Sequence, residues 1–213
     1  MISDITFSNA QDEFDKAWQN PDHTSIELDT VDVNGVLEKY YATSEPLHFT
    51  KRMLWDMEAK KAWNPSTYIP HVVREGKSWG RKTLRKSEEF FVRSSRQLAW
   101  MTNAYGLVLE KVYLSHEEQK VIFLGRAEFL SEDGTPVYAS SHQPLFHVEH
   151  AAGGTESRPL NLWRIVHLTT GKDDGLVQWF AQRGSASWLP EFIEIYIEND
   201  LRIKLTHRQI SMY

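Results

Sequence analysis

Near the end of the chain, apolar residues recur every four positions: Leu189, Ile193, Ile197, Leu201 and Leu205, with Phe192 and Tyr196 beside them. Glu191, Glu194, Glu198 and Arg202 fall on the opposite side, so the pattern predicts one amphipathic helix over 188–208. Ser187 is the expected N-cap, and Pro190 is tolerated in the first turn, where its missing N–H has no intrahelical partner. A helix of that length would run about 30 Å, enough to cross a small sheet.

Upstream the pattern shortens to β-prone runs over 90–100, 107–114, 121–130, 137–150 and 160–169. Turn-forming residues separate them at 115–119, at Glu132-Asp133-Gly134-Thr135 and at Ala152-Gly153-Gly154-Thr155. Strands joined by such short connections pair antiparallel. Residues 47–76 read as a mixed strand and helix segment, broken at Asn64-Pro65 and again at Pro70. Residues 1–45 read as an N-terminal helical extension. There Ser8 is placed to cap a helix whose Ala10, Phe14, Ala17 and Trp18 share a face, and a second short helix or turn carries Val36, Leu37, Tyr40 and Tyr41. The remainder, 46–213, is expected to be one pocket domain.

This order predicts an α+β fold: a curved antiparallel sheet wrapped on a long C-terminal helix, with short helices near the N-terminus. A cavity is expected between sheet and helix. A cone-shaped α+β barrel of the polyketide-cyclase or ketosteroid-isomerase kind places its long helices first and its strands last, the reverse of what is seen here.

Composition narrows the function. With 24 Lys and Arg against 29 Asp and Glu, net −5, the chain lacks the positive field that phosphate backbones require, so no nucleic-acid partner is expected. No apolar run approaches about 18 residues, so no membrane span is expected, and no secretory signal is apparent. Zero cysteines exclude disulfides, thiolate catalysis and Cys-ligated zinc, and lean towards the cytoplasm. Eight Trp, eight Tyr and ten Phe suit a pocket for a flat or oily guest, so the expected partner is a hydrophobic small molecule. Self-association as a homodimer stays open. No Gly-x-Gly-x-x-Gly, Walker, Gly-x-Ser-x-Gly or His-Glu-x-x-His motif is present, and no cofactor is expected.

The densest polar cluster is His142, His147, Glu149 and His150. Strand alternation sends Leu145, His147 and Glu149 one way and Phe146, Val148 and His150 the other. His147 is the expected acid or base, with Glu149 as its orienter; His142 and His150 are assigned to a solvated face. A metal site would draw further donors from His71 and His167. His167 lies on the following strand, brought beside His147 by a hairpin near Gly153-Gly154, and is the alternative orienter or partner of His147; a lone histidine on so apolar a face is more often a hydrogen-bonded core residue than a catalyst. Arg126 shares a face with Glu128, as an internal pair or a substrate clamp.

Three local segments, Leu54-Trp55-Asp56, Trp63-Asn64-Pro65 and Trp188-Leu189-Pro190-Glu191-Phe192, together with the order of elements, resemble the START/Bet v1-like helix-grip superfamily over about 47–209. That superfamily includes aromatase/cyclases, lipid carriers and plant ligand-binding proteins. Lys61-Ala62-Trp63-Asn64-Pro65, His147 followed by Gly153-Gly154 and Trp163, and Trp188-Leu189-Pro190-Glu191 are similar to the diacetylphloroglucinol hydrolase branch. That likeness implies carbon–carbon bond hydrolysis with a histidine-held metal. The chain departs from the branch at Asn64, where His is expected, and 176–187 holds neither the His nor the Glu of its helical pair, so no metal is assigned.

In the helix-grip resemblance Asn64, Tyr68 and His71 border the cavity mouth, where Asn64 and Tyr68 could donate hydrogen bonds to a carbonyl. Asn64 before Pro65 reads equally as turn chemistry. Trp63, Tyr113, Phe123 and Trp163 are the expected walls. The resulting expectation is a cofactor-independent enzyme of natural-product metabolism, cyclising or isomerising a hydrophobic, polyketide-like carbonyl compound by acid/base assistance. A metal-assisted hydrolase and a non-catalytic lipid or pigment carrier are the alternatives.

Overall fold

The computed structural model describes residues 6–85, 87–142, 145–182 and 188–208. The chain begins with α1 (Phe7–Gln19), β1 (Thr24–Glu27), β2 (Val31–Asp32), α2 (Val33–Tyr40) and β3 (Tyr41–Thr43). Next come α3 (Lys51–Trp63), the single turn α4 (Pro65–Tyr68), β4 (Val73–Arg85), β5 (Glu88–Leu98), β6 (Tyr105–Ser115) and β7 (Lys120–Arg126). The short hairpin β8 (Glu128–Leu130) and β9 (Pro136–Tyr138) precedes β10 (Phe146–Thr155) and β11 (Arg158–His167). Helices α5 (Asp174–Ala181) and α6 (Glu191–Asn199) and strand β12 (Leu205–His207) close the fold.

Eight strands form one open antiparallel sheet in the order β1-β11-β10-β7-β6-β5-β4, with β2 also on β11. Its two faces bury different side chains, as the two-residue period of a strand requires. Along β7, Ile122 and Leu124 join Phe90, Tyr113 and Val166 under Phe7, Ala10, Phe14 and Ala17 of α1. Val121 and Phe123 point the other way, into the main core with α2, α3, α5 and α6. Residues 6–45 are thus woven into the sheet and both of its cores.

Helix α3 explains much of the inner face. Thr50 caps it, its side chain accepting the Met53 N–H at 3.1 Å, and Asn64-Pro65 ends it as the sequence predicts. Its buried stripe, Leu54, Trp55, Met57, Glu58, Lys61 and Ala62, follows helical spacing but contains two charged residues.

Three sequence expectations are corrected. The terminal helix spans only 191–199, not 188–208. Asn199 and Asp200 are weak helix formers, Arg202 takes a left-handed φ of 61°, and Leu205 enters a strand paired with Thr43. The four-residue apolar spacing runs across that break because Leu201, Ile203 and Leu205 still pack on the core from irregular backbone and strand. A second helix, α5, capped by Asp173 through the Leu176 N–H, shares the covering role.

The turn expected at 152–155 lies three residues later, because Thr155 pairs with Arg158. Gly153 and Gly154 belong to β10; a Cβ on Gly154, at φ +72°, would stand 2.2 Å from the Arg158 carbonyl oxygen. Finally, α1 is capped by Thr6, whose hydroxyl accepts the Asn9 N–H, and not by Ser8. Ser187 lies outside the described residues.

Candidate active site

A cavity of about 100 Å³ lies between the inner sheet face and the helices. Sheet residues Arg93, Gln97, Glu110, Phe123, Phe146, Val148, His150 and Trp163 form one wall; Lys61 of α3 and Phe192 of α6 form the other. Ile69, Val72 and Trp100, all from connecting segments, complete the lining. At a liquid share of about 30 Å³ per water, this space holds some three waters, and it is smaller than the cavity of about 150 Å³ known to accept benzene.

Most of the lining is apolar, but five polar groups converge on it. Lys61 Nζ stands 2.7 Å from Glu58 Oε2, 3.1 Å from His150 Nδ1 and 3.7 Å from the Phe192 ring centroid. Glu58 Oε2 is 3.4 Å from His150 Nδ1. All three residues are 5 % exposed or less. Arg93 donates from Nε to Glu110 Oε2 at 2.8 Å and from Nη1 to the Ala62 carbonyl at 3.0 Å, tying the end of α3 to the sheet. Gln97 donates to Ser95 Oγ at 3.1 Å. The indole N–H groups of Trp100 and Trp163 have no partner among the described residues.

Burial sets the electrostatics. It pulls the Lys61 ammonium below the usual lysine range, aided by the Arg93 charge and opposed by Glu58. Burial alone would raise the Glu58 carboxyl; the Lys61 charge beside it outweighs burial and brings the carboxyl down. His150 is lowered by burial and by the Lys61 ammonium, and so is a neutral imidazole near pH 7. With the ammonium donating into Nδ1, the ring proton resides on Nε2. Two cations and two carboxylates balance, so the cavity carries no net charge of its own.

The residues singled out in the sequence divide between the two faces. Phe123 and Trp163 line the cavity as expected. His147 and Glu149 are on the opposite face, against α1. There His147 Nδ1 accepts the Gly125 N–H at 3.1 Å and Nε2 lies 3.7 Å from Glu13, while Glu149 pairs with Arg164 at 2.7 Å and accepts from Gln11. Burial lowers His147 to about 4 against a partial offset from Glu13. Tyr113 and Arg126 share that outer face, Tyr113 against Phe90 and Arg126 paired with Glu13 at 2.8 Å.

His167 is on the inner face, 5.5 Å from Phe146 by ring centroids, with both ring nitrogens unpartnered among the described residues. Burial brings it to about 4, offset in part by Asp173. It does not line the cavity.

Asn64 is exposed and serves as the junction of α3 and α4. Tyr68 donates to Asp200 Oδ2 at 3.0 Å; burial and that carboxylate push its phenol up to about 12. Trp63 packs edge-on against Phe91 beneath Arg81, and His71, 84 % exposed, reaches Glu191 at 2.9 Å. None of these four lines the cavity.

The strand pattern alone assigns His150 to a solvated face. It is instead buried and faces Trp163 at 4.6 Å, because a sheet covered on both sides has no solvated face along β10. The signal for Lys61 and Glu58 is present in the stripe Leu54, Met57, Glu58, Lys61, where charges interrupt an apolar helix face.

No protein-family model matches this sequence, and no curated protein matches it. Among solved structures, the Zhui aromatase/cyclase from Streptomyces sp. R1128 superposes on 83% of this chain and 95% of its own, at 9% identity and a TM-score of 0.51. The TTHA0849 protein from Thermus thermophilus covers 84% and 97%, at 8% identity and a TM-score of 0.45. A START superfamily protein from Mycobacterium smegmatis covers 68% and 88%, at 9% identity and a TM-score of 0.38. At such identities likeness speaks for architecture alone. The open antiparallel sheet closed over by helices, with the alignment to the Streptomyces structure, gives this chain the START/Bet v1-like helix-grip fold.

Proposed function

We propose that the protein is an enzyme that binds a neutral, carbonyl-bearing hydrophobic compound and assists its enolisation, leading to cyclisation or isomerisation without a cofactor. The observation that carries this reading is the meeting of Lys61 and His150, backed by Glu58, on the wall of a mostly apolar cavity. The charge balance argues for a neutral guest. The surplus of donors, with the Trp100 and Trp163 indoles unpartnered among the described residues, argues for a guest that accepts hydrogen bonds, as a carbonyl oxygen does.

In this mechanism the Lys61 ammonium stabilises the charge that develops on oxygen, in a setting where water is scarce and the field correspondingly strong. His150 moves the proton, and Glu58 holds Lys61 in place. Cyclisation is the favoured outcome because the Streptomyces structure of this fold is that of an aromatase/cyclase, and natural-product metabolism is the setting we infer from it. A polyketide-like guest of several rings exceeds the cavity of about 100 Å³, so it would need Trp100 and α6 to move apart.

The test is proton exchange. Cyclopentanone in deuterium oxide, followed by NMR, should lose its α-protons faster with the protein, and His150→Gln should remove the acceleration while His147→Gln keeps it. Tight binding without exchange would replace the enzyme with a carrier.

A further inference from the structure

We propose that Lys61 is a nucleophile that captures the carbonyl covalently as a protonated imine. The inference rests on the reading that a carbonyl compound enters the cavity, and goes beyond it by making the bond explicit. Two buried ion pairs stand side by side, and they differ. Arg93–Glu110 is locked, with aligned hydrogen bonds to the carboxylate and to the Ala62 carbonyl. In the other pair Lys61 Nζ is 2.7 Å from Glu58 Oε2, yet neither Glu58 oxygen has an aligned hydrogen bond among the described residues. A buried ion pair adds little to stability, so a poorly aligned one calls for another reason. An amine held against an aromatic ring, 3.7 Å from the Phe192 centroid, and beside a second cationic residue, is in the environment that activates lysine amines. A carboxylate and an imidazole within 3.4 Å of one another stand ready to carry its protons.

The step balances without a further reagent. The ammonium passes one proton to His150 Nδ1, 3.1 Å away, and the freed nitrogen pair attacks the carbonyl carbon as the C=O π pair moves to oxygen. That oxygen takes up a proton from the attached nitrogen, then a second from the imidazolium as the C–O bond breaks, the nitrogen pair closes the C=N bond, and water leaves. Two protons leave nitrogen and two appear in the water, so ammonium and carbonyl give protonated imine and water with charge unchanged. Glu58 faces the new cation. The imine is a stronger electron sink than the carbonyl, which eases loss of the adjacent proton.

The experiment traps the bond. Wild-type protein at pH 7 is treated with propanal, small enough for the cavity, and sodium cyanoborohydride, then analysed by intact mass and peptide mapping. The first propyl group should fall on Lys61, about tenfold faster than on any exposed lysine, since Lys61 has an imidazole 3.1 Å away to take its proton. The preference should vanish in urea and in Lys61→Arg, the urea arm requiring no variant to fold. Propyl groups spread over exposed lysines with Lys61 bare would overturn the proposal. Cyclopentanone binding, read by quenching of tryptophan fluorescence without reductant, separates the two ideas. Binding and exchange with a bare Lys61 sink the imine and leave the acid/base reading, whereas absence of all three sinks both.

Discussion

His147 and His150, three residues apart on β10, face opposite sides of the sheet: His147 is pinned to Gly125 beneath α1, and His150 stacks against Trp163 in the cavity. An odd separation on a strand makes this unavoidable. The pair therefore separates a structural from a chemical role. His147→Ala orphans a buried N–H and should cost about 1–3 kcal/mol in urea denaturation while cavity binding persists. His150→Phe should keep the fold and abolish the enhancement of ketone exchange. Equal loss of exchange in both variants would refute the assignment.

Acid should loosen the fold ahead of carboxylate protonation. His147 and His167 are each lowered from an ordinary value of about 6.5 to about 4, so the unfolded chain binds their protons first. The stabilising contribution is fully present above pH 6.5 and is lost as pH falls towards 4, by about 3 kcal/mol per histidine. Thermal denaturation across that window checks it, and His147→Gln should lessen the slope by the share of one histidine.

The Glu58–Lys61 pair should behave asymmetrically. Glu58→Gln leaves a buried cation uncompensated and should cost about 3–5 kcal/mol, whereas Glu58→Leu combined with Lys61→Met should fall within about 1 kcal/mol of wild type or exceed it. A double-mutant cycle by denaturant unfolding measures both. A double variant as damaged as the single one would mean that the pair is structural.

Filling the cavity should separate binding from folding. Val148→Phe projects a ring into the space of about 100 Å³, at about 1–3 kcal/mol of overpacking, and should eliminate quenching of tryptophan by cyclopentanone. Quenching that survives would place the guest elsewhere.

Glycine sets a local limit as well. A Cβ on Gly125 would come 2.3 Å from the Phe146 carbonyl oxygen, where β10 starts beside the end of β7. Gly125→Ala must part those strands and should cost more than about 2 kcal/mol by thermal melting.

The architecture was legible where pattern depends on local repetition. Hairpins gave the antiparallel order, Asn64-Pro65 ended α3, and Phe14 and Ala17 marked the buried face of α1. What failed depended on tertiary facts. Leu201 and Leu205 continue a helical spacing in backbone that is not helical, since Asp200 is drawn to Lys60 and Tyr68 and β12 is drawn to β3. Period two told that His147 and His150 part company, but not which side holds the cavity. That answer depended on α1 covering the back of the sheet, which no local pattern of β10 records. Glu58 and Lys61 are charges on an apolar stripe, but each alone resembles an ordinary helix surface residue.

The first helix therefore calls for care at the bench. Phe90, Tyr113, Ile122, Leu124 and Val166 form a slab that α1 shields. Trimming the chain to begin after Gln19, in search of a minimal fragment, would lay that greasy back bare and yield sticky, self-associating material even with the chemical chamber intact.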